Sequence, residues 1–286
     1  MTLLCLPDSK YKENNIMYNF EKKFNGTVKF TYPDWKMKAL AFSYDDANIA
    51  DRRLVEIFNR YGMKGTFHIP SAWLKTKSEN RITEAEINTL YDGHEVSGHG
   101  ANHLNMAQLA KDEIAQEVAE DCREWQRILG HKLTGYSYPY GAYSNEVIEV
   151  LKANNLIYSR TVEHAEDFYL PEDFMKWHPH AHHRDNIAEL GIKFLDFKAE
   201  KLSVLLIWGH SYEIPRENHW ELIEDFCAQM ANKEDIFYAS MGDIARYVNA
   251  ISKITTADNG KTLINNSDET VYYLLDGQKC VIEPAG

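Results

Sequence analysis

The chain has 286 residues and a formal charge of -12, from 31 Lys plus Arg against 43 Asp plus Glu. A length of this order buries roughly three quarters of the unfolded surface, so the core needs no disulfide or metal staples. The acidic balance argues against nucleic acid and other polyanions as partners and suits a neutral substrate. No apolar run is long enough to span a membrane, the strongest being Val204 to Trp208. The first residues, Met1 to Asp8, lack a basic segment followed by an apolar stretch. The chain as written is therefore expected in the cytoplasm; an exported chain whose leader has been removed would read the same way. Cys5, Cys122, Cys227 and Cys280 are scattered, without the paired spacing of a zinc knuckle.

Residues 1–35 are polar and mixed and read as an N-terminal extension. From there, short apolar or β-branched runs recur near 38–44, 64–70, 94–97, 133–138, 156–161, 203–208 and 235–239. Between most of them the apolar spacing is helical. Leu54, Ile57, Phe58 and Tyr61 form one such face; Ile114, Val118, Cys122, Trp125 and Leu129 form a longer one. The spacing predicts that the longer helix opens at Asn105, with Gln108 completing a capping pair, and stops at Gly130. Ser144 is placed to cap a helix over Val147, Ile148 and Leu151, and 219–230 and 242–251 read as two more. About seven strand–helix units without a glycine-rich phosphate loop favour a parallel α/β barrel over an open nucleotide-binding sheet. From about Thr255 turn signals dominate. Asn259-Gly260 is one, and Asp276-Gly277 joins two β-prone runs as a hairpin. The expected organisation is an extension over 1–35, a catalytic barrel over 36–254 and a small β appendage over 255–286.

Four stretches carry chemistry. The first, Ala41 to Ala47, runs an apolar strand into Asp45 and Asp46. Two adjacent carboxylates repel, and burying either without a partner is costly. The pair reads either as a metal site with a free base beside it or as a solvated helix cap. In the second stretch, His99 and His103 are four apart, which on a helical turn places both imidazoles on one face. Asp with two His leaves a coordination position for water, as catalytic zinc sites do. The third, Gly135-Tyr136-Ser137-Tyr138-Pro139-Tyr140-Gly141, puts a rigid turn after a strand, with the Tyr140 N–H available as an oxyanion donor. The fourth, Leu205 to His210, ends an apolar strand in a histidine suited to general acid work near neutrality. In the dense run Trp177-His178-Pro179-His180-Ala181-His182-His183, His178, His180 and His182 would share one face of an extended strand. It reads as a groove lining, a barrel rim or a second metal site.

Taken together and in order, these four resemble the motifs of the polysaccharide deacetylases, the NodB-homology domain of carbohydrate esterase family 4. The resemblance covers roughly residues 36–250. It implies a distorted (β/α)7 barrel with the site at the C-terminal ends of the strands. It makes Asp45 the catalytic base, Asp46, His99 and His103 the ligands of one divalent metal, the Tyr140 amide the oxyanion donor and His210 the acid. Zinc is the default ion, with cobalt or nickel able to substitute. Three positions depart from the family pattern: Ala47 for glycine, Gly100 for Ser/Thr, and Ser137 where many members carry the arginine that pairs with the base. Arg160, at the end of the next strand, is expected to take that arginine's role. Tyr138, Trp177 and Trp208 are candidate groove residues. The reaction implied is removal of acetyl groups from an N- or O-acetylated oligo- or polysaccharide, with water activated at the metal. Two other readings stay open: an amidohydrolase for a small soluble amide, and a carbohydrate-binding protein with impaired catalysis.

Overall fold

The structure, a computed structural model, describes residues 27–76, 78–258 and 260–285. Most of the expected N-terminal extension, Cys5, and Asn259 of the expected Asn-Gly turn lie outside the described residues. The chain divides into two compact units: Met37–Arg246, and the described residues of Met1–Lys36 with Tyr247–Gly286.

The second of these units is made of short antiparallel strands. Its first strand, β1 (Val28–Thr31), falls in the segment that the sequence reading leaves as an extension.

The larger unit is built on parallel strands: β2 (Lys38–Asp45), β3 (Gly65–Ile69), β4 (Glu95–Gly98), β5 (Gly135–Ser137), β6 (Tyr158–Arg160), β7 (Ala181–His182), β8 (Ser203–His210) and β9 (Ile236–Tyr238). The order across the sheet is β6-β5-β4-β3-β2-β8-β7, with β9 also paired to β2. Seven of the eight coincide with the apolar runs of the sequence. The fold is the expected α/β one, a parallel half-barrel with helices. β2 has β8 along one edge and β9 then β3 along the other, and every one of its residues is buried. A parallel strand covered on both faces has no solvent side to alternate with, which explains the apolar run Ala39–Phe42. Lys38 at its start is buried but not orphaned: Nζ lies 2.8 Å from Asp235 and 2.9 Å from the Leu195 carbonyl.

The histidine-dense run forms the last stave. Trp177 pairs with Arg160 at the edge of β6, and Ala181 and His182 pair with Ile207 and Trp208 of β8. One short extended segment thus spans the two free edges of the sheet. Only two of its residues are regular strand, which is why alternation did not mark it as one.

The helices follow the apolar faces. Asp51–Tyr61 ends on Gly62 in the left-handed conformation, and Ser144 caps Asn145–Ala153 by accepting from the Val147 N–H. The long helix differs from expectation at its start. It runs Lys111–Leu129, not from Asn105. Met106–Gln108 is a separate 3-10 turn, and Leu109 and Ala110 are both extended, which breaks the helical path. The Asn105 side chain caps nothing; the Glu113 carboxylate instead accepts from the Ala110 N–H at 2.9 Å. The helix Ile187–Asp196 was not evident from the sequence.

In the smaller unit, β10 (Ile254–Ala257) pairs with β11 (Thr262–Asn265), and β12 (Val271–Leu275) with β13 (Gln278–Ile282). Asp276 and Gly277 both have positive φ, the backbone that a tight hairpin turn requires. β12 also pairs antiparallel with β1.

Candidate active site

All parallel strands end on the same side, so the residue at or just after each strand end faces a common mouth. Asp45 ends β2, His99 follows β4, Ser137 ends β5, Arg160 ends β6, His182 ends β7 and His210 ends β8. β2 and β8 are in register there, with Asp45 opposite His210. Asp46 has a φ of 81° and Ala47 of 48°. The two left-handed residues turn the chain sharply after the strand and point the adjacent carboxylates in different directions.

Asp45 points into the protein. It is buried, and Arg160, itself 1% exposed, forms an ion pair with its Oδ2. The Ser137 hydroxyl donates to Oδ1 at 3.3 Å. Burial alone would raise this carboxyl; the Arg160 guanidinium, then His99 and His68, overcome it and hold it well below the usual carboxylate range. Arg160 is fixed in turn by the Ser43 hydroxyl at 2.8 Å and the Thr161 carbonyl at 3.0 Å, and it lies over the Trp208 ring. The arginine expected to replace the missing one at Ser137 therefore stands against Asp45, and Ser137 holds the other oxygen.

Asp46 faces the mouth. Its Oδ1 is buried without a hydrogen-bond partner among the described residues, 3.9 Å from His99 Nε2 and 3.8 Å from His103 Nε2. Burial, and secondarily the Asp45 charge, push its carboxyl up to about 6. Burial also lowers His99 to about 4, so its imidazole is neutral. His99 Nδ1 sits 2.9 Å from the Ser137 carbonyl and 2.7 Å from its hydroxyl. A carbonyl only accepts, so Nδ1 carries the proton and the Nε2 lone pair faces Asp46. An orphaned carboxylate oxygen converging with two imidazole nitrogens, one tautomer fixed from behind, is a donor set that fits a divalent cation.

His99 and His103 are brought together differently from expectation. They lie in a loop, not on a helical turn. Gly100 and His103 have φ of 77° and 59°, and these left-handed residues fold the loop so that the ring centroids are 4.7 Å apart. Two acids on the inner face of the Lys111–Leu129 helix hold it. Glu117 accepts from the Asn102 backbone at 2.6 Å and its side chain at 2.8 Å; Asp121 accepts from the His99 N–H at 3.2 Å. Their sequence signal was available: they are four apart on a face otherwise lined by Ile114, Val118 and Trp125.

Tyr140 has a φ of 60°, and its ring is 67% exposed and packed edge-on against His103. Trp73 also packs against His103, with ring centroids 5.2 Å apart, and carries Arg81 on its face. Tyr138 and Trp177 do not line a groove. Each is 1% exposed; the Tyr138 hydroxyl donates to the Met175 carbonyl and Trp177 packs against Tyr158 and Phe174. Both serve the core. Trp208 is half-buried beneath Arg160.

His210 Nε2 is 3.8 Å from Asp46, and its Nδ1 is 3.4 Å from Glu213. Burial alone would lower this histidine; Glu213, Asp45 and Asp46 raise it above its ordinary value. Glu213 opens a short helix, Glu213–Glu217, three residues beyond His210. Nothing in the sequence reading marked it.

The match to known proteins follows the same residues. The polysaccharide deacetylase family model matches residues 33–159, which include Asp45, Asp46, His99, His103 and Tyr140. Over that stretch the chain is similar to the polysaccharide deacetylases. The peptidoglycan deacetylase of Helicobacter pylori is 26% identical over 115 residues, 40% of this chain and 37% of that protein. The uncharacterized protein YlxY of Bacillus subtilis is 24% identical over 118 residues, 41% of this chain and 35% of that one. The chain thus spans about a third of the length of the curated relatives it matches. A putative polysaccharide deacetylase from Mycobacterium smegmatis shares the fold, with a TM-score of 0.61 and 17% identity over 82% of this chain and 99% of that one. The deacetylase match ends before Arg160, so neither Arg160 nor His210 is covered by it.

Proposed function

We propose that this deacetylase relative is a metal-dependent hydrolase that removes acetyl groups from an N- or O-acetylated carbohydrate. The observation that carries the reading is Asp46 Oδ1, a buried carboxylate oxygen without a partner that converges with His99 and His103 beside a second, differently held carboxylate. A divalent ion bound by these three, zinc by default, would polarise the acyl carbonyl and lower the pKa of a water from about 15.7 toward about 7.

The chain's own groups divide the remaining work. Asp45 stays ionised because of Arg160 and takes a proton from the attacking water; Arg160 and Ser137 hold its two oxygens in place. Ionisation suits a proton acceptor, and the Arg160 pair is what allows it inside a buried site. The Tyr140 N–H donates to the developing oxyanion, a contribution typically worth ~10²–10³ in rate. His210, across the mouth, protonates the departing amine or alcohol. Tyr140, exposed beside His103, offers a sugar ring a flat apolar face.

The test is metal content together with acetate release from acetylated chitin, peptidoglycan and xylan fragments. One bound metal and release from at least one sugar are expected. Metal bound, with release only from small soluble amides, would move the reading to an amidohydrolase. Metal bound and no release from anything would leave a binding protein.

A further inference from the structure

Behind His210 lies a second convergence of side chains that the mechanism above does not use. Glu213 is buried, and its Oε2 is 3.0 Å from His182 Nε2, 3.4 Å from His210 Nδ1 and 3.7 Å from His183 Nε2. Its other oxygen faces the Arg184 and Arg216 guanidiniums at 3.7 and 3.6 Å. Two histidines and a carboxylate at this spacing have the composition of a metal site. The hydrogen bonds argue otherwise. His182 Nδ1 faces two donors, the Arg184 backbone N–H at 3.3 Å and its Nε–H at 3.2 Å. Nδ1 must therefore be the acceptor, and the proton of a neutral imidazole must sit on Nε2. A protonated Nε2 donates to Glu213 and has no lone pair for a cation. The two guanidiniums on Oε1 already balance the carboxylate and further disfavour a dication there.

The geometry points to Glu213 as the positioning residue of His210, with His182 as the group that fixes Glu213. Glu213 Oε2 accepts from the His210 backbone N–H at 3.3 Å, and Nδ1 makes a 3.4 Å ion-pair contact with the same oxygen without an aligned hydrogen bond. An ionised carboxylate only accepts, so the ring nitrogen turned toward it is the one that carries a proton, Nδ1–H, and that contact leaves Nε2 as the nitrogen facing Asp46 and the mouth. The proton delivered to the leaving group is then the one on Nε2: the N–H bond breaks, a bond to the departing nitrogen or oxygen forms, and the imidazole remains neutral, still held through Nδ1. Glu213 touches no reacting atom. Its carboxylate is rigid because His182, tied to β8 through the Ala181–Ile207 and His182–Trp208 pairs, is itself part of the barrel wall. The barrel's short closing stave thus carries a function: it delivers the imidazole that holds the carboxylate that aims the acid.

This inference rests on the deacetylase reading for its kinetic test, and a spectroscopic test stands apart from it. In the full-length, metal-loaded protein, Glu213→Gln is expected to slow acetate release from an N-acetylglucosamine oligomer roughly 10- to 100-fold in kcat with little change in KM. That is part of the ~10²–10⁴ that a well-placed general acid contributes. With 4-nitrophenyl acetate, whose leaving group departs without a proton, the loss is expected to be under about threefold by the same reasoning. His182→Leu should behave like Glu213→Gln, and His182→Gln, whose amide N–H replaces Nε2–H, should recover most of the oligomer activity. Equal losses on both substrates, or none on either, would overturn the assignment. Independently of turnover, an imidazole Nδ1–H proton of His210 protected from exchange should be visible by NMR and vanish in Glu213→Leu, which leaves no acceptor there. Its absence from the wild type would overturn the positioning role. A second equivalent of zinc in the wild type, lost in His182→Leu, would show the cluster to be a metal site and overturn it as well. Wild-type inactivity on every acylated substrate, with the His210 proton present, would remove the deacetylase reading and leave the Glu213 contact standing.

Discussion

The Arg160–Asp45 pair is the place where stability and catalysis are most tightly joined, and Arg160→Met separates them. Both partners are almost fully buried, with side-chain exposures of 0% and 5%. Methionine replaces the bulk of the arginine stem but leaves Asp45 charged in a low-dielectric pocket. Breaking one half of a buried ion pair typically costs about 3–5 kcal/mol, because the surviving charge is uncompensated. The Ser137 hydroxyl remains on Oδ1 but is a neutral donor and cannot replace a guanidinium. The cost should depend on pH with a definite sign. In the wild type Asp45 is depressed, so its stabilising contribution is fully present above the unfolded value of about 3.9 and is lost only as pH falls through the lower folded value. In Arg160→Met burial dominates and raises Asp45, so the variant regains stability as the pH falls and the acid is protonated. The gap between the two proteins is therefore largest near neutrality and narrows toward pH 4. Urea unfolding in the presence of a chelator, at pH 7 and at pH 4.5, measures it. Adding Asp45→Asn to Arg160→Met should recover most of the loss at pH 7, giving a coupling of about 2–4 kcal/mol in the double-mutant cycle, the scale of such buried pairs. Arg160→Met should also retain bound metal, because Asp46, His99 and His103 are untouched, while losing turnover. A loss under about 1 kcal/mol with zero coupling would show that the pair does not hold Asp45 ionised, and the account of the base would fail with it.

Asp46→Ala should abolish stoichiometric zinc binding, whereas Asp45→Asn should keep it and lose turnover; equal metal loss in both, read by elemental analysis, would undo the division of labour between the two acids. Glu117→Ala removes both bonds to Asn102 and should weaken zinc binding about 10–100-fold, the usual penalty for losing support behind a metal ligand; an unchanged zinc affinity by competition titration would show that the loop holds its shape without the helix. Asp51, which receives the Tyr91 hydroxyl at 2.6 Å, is pushed up to about 7, chiefly by burial. Its folded value lies above the unfolded one, so the folded state keeps a proton that the unfolded state loses, and stability from this group declines as pH rises from about 4 to about 7. The isosteric Asp51→Asn does not titrate; its melting temperature should gain on the wild type across that window, and parallel curves would contradict the shift.

How much of this was legible in the sequence depends on how local each cause is. Seven strands were visible because each falls in a short run with apolar or β-branched residues between helical patterns, and parallel strands with helical crossovers leave few arrangements. β7 was not, because two residues carry no periodicity, and its identity as a stave comes from pairings 26 residues away, Ala181 with Ile207 and His182 with Trp208. The juxtaposition of His99 and His103 was correct in outcome and wrong in mechanism: spacing suggested a helix, while two left-handed residues do the folding. Tyr138 and Trp177 were misplaced for a related reason. An aromatic beside a site motif looks like a sugar platform, but in the folded chain the Tyr138 hydroxyl reaches the Met175 carbonyl and the Trp177 ring packs against Tyr158 and Phe174. Glu213 was invisible because its partners His182 and Arg184 come from a different stave, and only the folded chain makes one carboxylate common to them and His210. The adjacent acids show the same limit most sharply. By composition and position Asp45 and Asp46 are indistinguishable, and either a cap or a metal site accounts for them. What separates them is the left-handed turn at Asp46, which gives one carboxylate to an arginine from β6 and the other to two imidazoles from the loop after β4. One neighbour is a fixed positive charge that completes its acid; the others are neutral lone pairs that leave theirs incomplete. The asymmetry between base and ligand thus lies in the neighbours each carboxylate meets: Arg160 is 115 residues from Asp45, and His99 and His103 are 53 and 57 from Asp46.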